Sequence, residues 1–283
     1  MPRVLYAFDF DGVLVHSAAE VGKSGFKAAH ILFPNAEWLE SLEQNPTNKE
    51  AIIHRFCDVR ACLDTGWEAA LILKLLADGD LSNDDIIHNF QTKLKDKVLQ
   101  ECDVTEIECN DAFRKVRDDW IRRDEEDWIR AHEFYDGACA AVRDLVEGRR
   151  DDVYLITTKG TEYASQLLKQ QKIDIHPFHI YGLGTGPKKQ VLATIIEHRE
   201  ADLIVMVEDN VATLSKITAD TKISDHVLPV VASWGYNTKE QRETATKAGY
   251  VVLDPNDPSS LSQVLDDVKA KELFDKYFSE RST

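Results

Sequence analysis

The sequence has no uninterrupted apolar run of about eighteen residues or more, the length that a membrane-spanning helix needs. Its opening segment passes almost at once into Val4-Leu5-Tyr6-Ala7-Phe8, which is typical of a core strand rather than of a secretion signal. We therefore expect a soluble, cytoplasmic protein that has no membrane partner.

Basic residues are scarce. Lysine and arginine number 34 against 50 aspartate and glutamate residues, so the formal net charge is −16 and the pI is about 5.0. A general nucleic-acid partner is excluded, because phosphate backbones are bound by basic surfaces. A small anionic substrate remains compatible with this charge if a metal or local cations reverse the field inside one cleft.

Cysteine is also sparse, with five residues and no C-x-x-C pair. Structural zinc sites need closely paired ligands, and a disulfide framework needs an even count in a short secreted chain. We expect these thiols to be reduced and mostly buried.

The chain contains three kinds of segment. Residues 4–10 form a short apolar run that predicts a buried strand. Residues 17–133 are rich in charge and helical in period, and "ECNDAFRKVRDDWIRRDEEDWIRAHEF" reads as one helical stretch. Within it, "RDDWIRRDEEDW" is expected to be a solvated, ion-paired face, with Trp120 and Trp128 turned inward.

From Tyr135 onward, strand and helix patterns alternate five times with short connections. This alternation predicts a doubly wound parallel sheet, to which the first strand must also belong in order to pair its backbone. The predicted fold is α/β, with a Rossmann-like core of residues 1–16 and 134–283. An all-helical domain of residues 17–133 is inserted into it.

The unusual polar residues follow these strands. In an open parallel sheet, ligands bind at the carboxyl ends of the strands, so these residues should meet at one edge. Carboxylates there suit a hard cation such as Mg²⁺, and hydroxyl and ammonium donors suit phosphoryl oxygens. The residues are Asp9, Asp11, Thr157, Thr158, Glu208 and Asp209, together with Lys188 and Lys189 in "GTGPKKQVL".

Four motifs in this order resemble those of the haloacid dehalogenase superfamily. "FDFDGVLVHS" is similar to its first motif, "YLITTK" to its second, "GPKKQVL" to its third and "VMVEDN" to its fourth. "FYDGACAAVRDL" and "VVASWGYN" resemble further segments of phosphoglycolate-phosphatase-like members, in which a helical cap follows the first strand. The match covers the predicted core.

The resemblance implies a Mg²⁺-dependent phosphatase that forms an aspartyl-phosphate on a small phosphorylated metabolite. Asp9 would be the nucleophile and Asp11 the general acid and base. Thr157, Thr158 and Lys188 would bind the phosphoryl group, with Lys189 left open as the alternative lysine. The metal ligands would be Asp9, the backbone carbonyl of Asp11, Asp209 and, through water or charge, Glu208.

Some features leave alternatives. His16 and Thr213 stand where relatives often carry an acid. A phosphomutase would use the same chemistry, a dehalogenase would usually lack Asp11, and a non-catalytic phosphate-binding protein could keep the fold. Oligomeric state cannot be read from the sequence.

Contacts to an anionic leaving group are expected from the helical domain, with Lys23, Lys27, His54, Arg55 and Arg60 as candidates.

Overall fold

A computed structural model of the chain describes residues 3–281. The chain divides into two compact units. The first, which we call the core unit, is formed by the residues up to His16 and from Phe134 onward. The second, the helical unit, comprises Ser17–Glu133.

Six parallel strands form the sheet of the core unit, in the order β5-β4-β1-β6-β7-β8, and β2 pairs with β3 in a separate two-stranded sheet. The doubly wound prediction is therefore confirmed. The strands are β1 (Val4–Phe8), β2 (Val15–His16), β3 (Glu133–Phe134), β4 (Val153–Ile156), β5 (Ile180–Tyr181), β6 (Leu203–Glu208), β7 (Val227–Val231) and β8 (Val251–Val252).

The central strands are buried along their whole length. Every residue of β1, β4, β6 and β7 is buried, which explains why these segments read as continuous apolar runs rather than as alternating patterns. Helices cover both faces of a parallel sheet, so a polar side chain is costly inside such a strand. Polar side chains consequently collect where the strands end.

The helical unit contains eight α-helices. Side-chain caps start several of them: Asn45 accepts a hydrogen bond from the Asn48 amide, and Pro46 follows at the first helical position. The helices are α1 (Ala18–Leu32), α2 (Glu37–Gln44), α3 (Pro46–Asp58), α4 (Ala69–Asp78), α5 (Asn83–Asn89), α6 (Lys95–Glu101), α7 (Glu106–Arg123) and α8 (Glu125–Arg130).

The helices of the core unit lie close to the positions that the sequence predicts, and a last helix that was not predicted follows β8. They are α9 (Asp136–Arg149), α10 (Thr161–Gln170), α11 (Lys188–Arg199), α12 (Val211–Thr218), α13 (Lys239–Lys247) and α14 (Asp267–Arg281).

The charged stretch of the helical unit differs from expectation in two ways. The helix breaks at Asp124, whose extended backbone and side-chain bond to the Asp127 amide start α8. Arg117, expected to be solvated, is buried and bonds to Glu20. Trp120 and Trp128 are buried as predicted.

The five cysteines are free. Three of them, Cys62, Cys109 and Cys139, are buried, and burial raises the pKa of each of these thiols to about 12. Over residues 3–281, no helix combines the length and the apolar character needed to cross a membrane.

Candidate active site

Strand register brings the polar residues together at one edge of the sheet. Phe8, the last residue of β1, pairs with Leu155 on one side and with Val207 on the other. The Asp9 amide then donates to the Val207 carbonyl at 2.9 Å. The residues that follow these three strands therefore leave the sheet side by side.

Lys188, at the start of α11, joins two of the strand-end carboxylates. Its Nζ lies 2.7 Å from Asp9 Oδ1 and 2.5 Å from Glu208 Oε2. Burial alone would lower the pKa of Lys188, but the carboxylates of Asp9 and Glu208 outweigh it and raise that pKa. The two acids therefore favour the charged form of Lys188.

Asp9, Glu208 and Asp209 form a buried carboxylate cluster in which one oxygen of each lies within 4.8 Å of the others. Desolvation, reinforced by the charge of Glu208, raises the pKa of Asp9 to about 7. Desolvation likewise raises the pKa of Glu208 to about 7, with the charge of Asp209 adding to it. The single charge of Lys188 does not offset this crowding.

Asp209 is fixed by a segment that the sequence did not single out as functional. Its Oδ2 accepts from the Tyr236 amide at 2.6 Å, and Asn237 Nδ2 donates to the Asp209 carbonyl at 3.1 Å. Two glycines allow this close packing. A Cβ on Gly12, whose φ is +87°, would lie 2.0 Å from Asp209 Oδ2, and one on Gly235 would lie 2.3 Å from the Gly12 carbonyl oxygen.

The side chain of Asp11 faces a second lysine. Lys159 Nζ lies 3.2 Å from Asp11 Oδ1, and the lysine side chain is 2% exposed. Sequence reasoning gave Lys159 no role, although it ends the "YLITTK" motif. Its position three residues after the end of β4 was the available signal.

Thr157 is buried at the end of β4 and its hydroxyl oxygen accepts from the Lys159 amide at 3.1 Å. Thr158, predicted to bind substrate, is exposed. The two lysines of "GPKKQVL" separate clearly: Lys188 lies beside Asp9, whereas Lys189 is 44% exposed and lies 3.5 Å from Asp220. This geometry favours Lys188 as the lysine of the site.

The two positions where relatives often carry an acid have other contacts here. The His16 ring packs near Tyr135 and Tyr236, with ring centroids 6.2 Å and 5.5 Å apart. The Thr213 amide donates to Asn210 Oδ1 at 3.0 Å, which caps α12. Neither residue is an acid, so Glu208 supplies the additional carboxylate of the cluster.

The five residues of the helical unit that were expected to contact a leaving group lie in three kinds of surroundings. Arg55 bonds to Asn83 Oδ1 and to the Leu81 carbonyl, and Arg60 is buried, so both arginines are engaged in packing. His54 is exposed. Lys23 and Lys27 are exposed and line a cavity of about 440 Å³, in which Lys27 Nζ lies over the Trp120 ring at 3.5 Å.

The donor set of the core site fits a hard divalent cation. Three buried carboxylates supply only oxygen ligands, and their mutual repulsion is what an added positive charge would remove. One of the three, Asp9, is paired with the cation of Lys188, and a further carboxylate, Asp11, is paired with Lys159. Such a site can bind a phosphoryl group, present a nucleophile and transfer a proton.

No protein-family model matches this sequence, and no curated protein sequence matches it. Among solved structures, it is similar to a candidate phosphoglycolate phosphatase from Lactobacillus delbrueckii subsp. bulgaricus. The identity is 14%, the match covers 94% of this chain and 100% of the other, and the TM-score is 0.54.

Two further structures superpose less closely. One is a haloacid dehalogenase-like hydrolase from Streptococcus pneumoniae, with 16% identity, 90% and 95% coverage and a TM-score of 0.46. The other is a protein predicted to be a phosphatase, from Clostridium acetobutylicum, with 16% identity, 96% and 99% coverage and a TM-score of 0.48. The fold assignment rests on the Lactobacillus structure together with the sheet order. The chain thus has the same α/β fold as the Lactobacillus structure.

Proposed function

We propose that this protein is a phosphatase that hydrolyses small phosphate monoesters through an aspartyl-phosphate on Asp9. The observation that carries the proposal is the contact of Asp9 with Lys188, at 2.7 Å, within a buried cluster that also holds Glu208 and Asp209. A nucleophilic carboxylate needs a cationic neighbour, because otherwise it would repel the anionic phosphoryl group that it attacks.

Mg²⁺ is the proposed cofactor, held by Asp9 and Asp209, with the backbone carbonyl of Asp11 and Glu208 contributing. A bound divalent cation would neutralise part of the charge of the carboxylates and of the phosphoryl oxygens. Lys188 acts on the same charge from the protein side, through its contacts with Asp9 and Glu208. It stabilises the negative charge of the transferring group as that charge shifts between oxygens.

The reaction has two steps. In the first, a carboxylate oxygen of Asp9 forms a bond to phosphorus while the bond from phosphorus to the ester oxygen breaks, and Asp11 gives its proton to that oxygen. In the second, Asp11 takes a proton from water, the water oxygen bonds to phosphorus, and the bond to Asp9 breaks. Phosphate leaves and both aspartates return to their starting states.

Thr157 is proposed to donate its hydroxyl proton to a phosphoryl oxygen. The hydroxyl oxygen already accepts from the Lys159 amide, so the hydroxyl hydrogen is left for the substrate. Thr158 is exposed. We therefore propose that it contributes to substrate binding only as part of the loop that follows β4.

The substrate class proposed is a small phosphorylated metabolite. The name of the Lactobacillus structure gives that protein as a candidate phosphoglycolate phosphatase, and it supports this class for a chain of the same fold. Lys23 and Lys27, on the cavity of the helical unit, are the proposed contacts for an anionic leaving group. Because the net charge is −16, such local cations would reduce the repulsion between the protein and an anion.

The test is phosphate release from a panel of small phosphomonoesters, measured with Mg²⁺ and with excess chelator. We expect release that requires Mg²⁺, that Asp9→Asn abolishes and that the surface control Asp220→Asn retains. A folded protein that releases no phosphate from any monoester contradicts the proposal. Transfer of the phosphoryl group within a sugar phosphate, without release, would identify a phosphomutase instead.

A further inference from the structure

Lys159 is a buried lysine that has no role in the reaction proposed above. It is 4% exposed, and lysine is almost never buried to this extent unless its charge is paired. Its Nζ lies 3.2 Å from Asp11 Oδ1. The burial therefore has a specific anionic partner, and that partner is the proposed general acid and base.

The backbone of Lys159 is fixed on both sides. Its amide donates to Thr157 Oγ1 at 3.1 Å, and its carbonyl accepts from the Leu183 amide at 3.0 Å. Gly182 packs against the same carbonyl, where a Cβ would approach to 2.8 Å. The lysine side chain thus starts from a rigid point and reaches one oxygen of Asp11.

The two lysines of the site contact different carboxylates. Lys188 contacts Asp9 and Glu208, and Lys159 contacts Asp11. A side chain that controls a proton in the transition state must be held in place, since a displacement of about 1 Å can cost roughly 100-fold in rate. Asp11 lies three residues beyond the end of β1 and just before a turn, so its rotamer needs a partner of this kind.

We propose that Lys159 is a positioning residue for Asp11. It holds Oδ1 of that carboxyl group so that the other oxygen can give its proton to the ester oxygen as the bond from phosphorus breaks. Lys159 keeps its own protons and does not touch the substrate. The inference rests on the proposed phosphatase function.

The test compares two substrates in the Lys159→Met variant, with Mg²⁺ present. The ratio kcat/KM reports the steps up to loss of the leaving group. An alkyl phosphate has a strongly basic leaving oxygen that needs the proton of Asp11, whereas p-nitrophenolate is a stable leaving group without it. We expect kcat/KM to fall about 100-fold for the alkyl phosphate and by less than about threefold for p-nitrophenyl phosphate.

A double variant tests whether Lys159 acts through Asp11. The Asp11→Asn variant should also lose far more kcat/KM with the alkyl phosphate than with p-nitrophenyl phosphate. Adding Lys159→Met to Asp11→Asn should not lower kcat/KM for the alkyl phosphate any further. Lys159→Arg should restore part of the loss, because it returns a cation. Lys169→Met, which removes an exposed lysine of the next helix, should behave as the parent protein.

Equal losses for the two substrates in Lys159→Met, or a loss that adds in full to that of Asp11→Asn, would overturn the inference. If thermal melting shows that Lys159→Met does not fold, Lys159→Gln is compared on the same two substrates. Failure of the proposed function looks different, because then the parent protein itself would release no phosphate from either substrate.

Discussion

The core unit and the helical unit each bury acidic side chains, and they do so in opposite ways. In the helical unit, Glu20 is completely buried and its oxygens accept two hydrogen bonds from Arg117, both at 2.8 Å. Ser24 Oγ donates to the same carboxylate at 2.8 Å and Trp128 Nε1 at 3.2 Å. His132 Nε2 lies 3.7 Å from it.

In the core unit, the buried acids outnumber the cations that contact them. Asp9, Glu208 and Asp209 crowd together with Lys188 as the cation in contact with the first two. The pKa values of Asp9 and Glu208 are raised to about 7, first by burial and then by repulsion between the acids. This arrangement opposes folding in the absence of an added cation.

The comparison teaches how to distinguish a structural buried acid from a functional one. Glu20 is surrounded by donors, so its charge is compensated within the protein and its contribution is to stability. The core cluster holds more negative charge than its own lysine compensates, so a cation from outside the chain would stabilise it. Four predictions follow from this difference, beginning with the largest effect.

Replacing Asp9 by Asn should lower turnover by about 10⁴-fold or more, because the nucleophile is removed. The melting temperature in chelator should not fall, since the change removes one of three crowded charges. Phosphate release and thermal melting measure the two quantities. A variant that loses its fold together with its activity would place Asp9 in the same structural class as Glu20.

Replacing Glu20 by Gln should lower the free energy of unfolding by about 3–5 kcal/mol, because the charge of Arg117 would remain buried without its partner. Urea unfolding followed by circular dichroism measures this. The control is Glu43→Gln, where an exposed glutamate pairs with His30 and Lys49, and a change within about 0.5 kcal/mol is expected. Equal effects of the two variants would contradict the comparison.

Replacing Gly12 by Ala should weaken Mg²⁺ binding by about 10- to 100-fold, because the new methyl group displaces the Asp209 carboxylate. Calorimetric titration with Mg²⁺ measures the change. Gly148→Ala is the matched control, since a Cβ there meets nothing within 4 Å, and it should bind Mg²⁺ as the parent does. Unchanged Mg²⁺ affinity in Gly12→Ala would mean that Asp209 is not a ligand.

The smallest expected effect is a pH dependence of stability without metal. Because folding raises the pKa of Asp9 and of Glu208 to about 7, the folded state binds more protons than the unfolded state between about pH 4 and pH 7. The free energy of unfolding should therefore fall as the pH rises through this window. Thermal melting in chelator from about pH 5 to about pH 8 measures it.

The double variant Asp9→Asn, Glu208→Gln should flatten that slope, since neither position would then titrate. In the parent protein, Mg²⁺ should raise the melting temperature more at about pH 8 than at about pH 6, because at lower pH it must displace protons. If the stability of the double variant depends on pH as steeply as that of the parent, groups other than Asp9 and Glu208 cause the dependence.

Much of the fold was predictable because its signals are local. The buried parallel strands read as apolar runs and the helices between them as periodic segments, so the order of the core elements followed from the sequence. The polar residues at strand ends were predictable for the same reason: Asp9, Thr157, Glu208 and Asp209 directly follow or end such runs.

Other contacts lay beyond local reasoning. Arg117 was expected to be solvated because it lies in a run of charges, yet its partner Glu20 is 97 residues away. Lys159 was passed over because Asp11 lies 148 positions earlier in the chain. Helical phase could not separate Arg55 and Arg60, which are engaged in packing, from Lys23 and Lys27, which line a cavity.

The sequence by itself determined the α/β sheet and the set of acids at its edge, since apolar periodicity and strand ends are properties of neighbouring residues. Only the tertiary structure decided that Lys188 and not Lys189 meets Asp9, that Lys159 meets Asp11, and that Gly12 and Gly235 make room for Asp209. The physical reason is that charge pairing and close packing depend on distance in space. That distance between remote segments is fixed only when the whole sheet has formed.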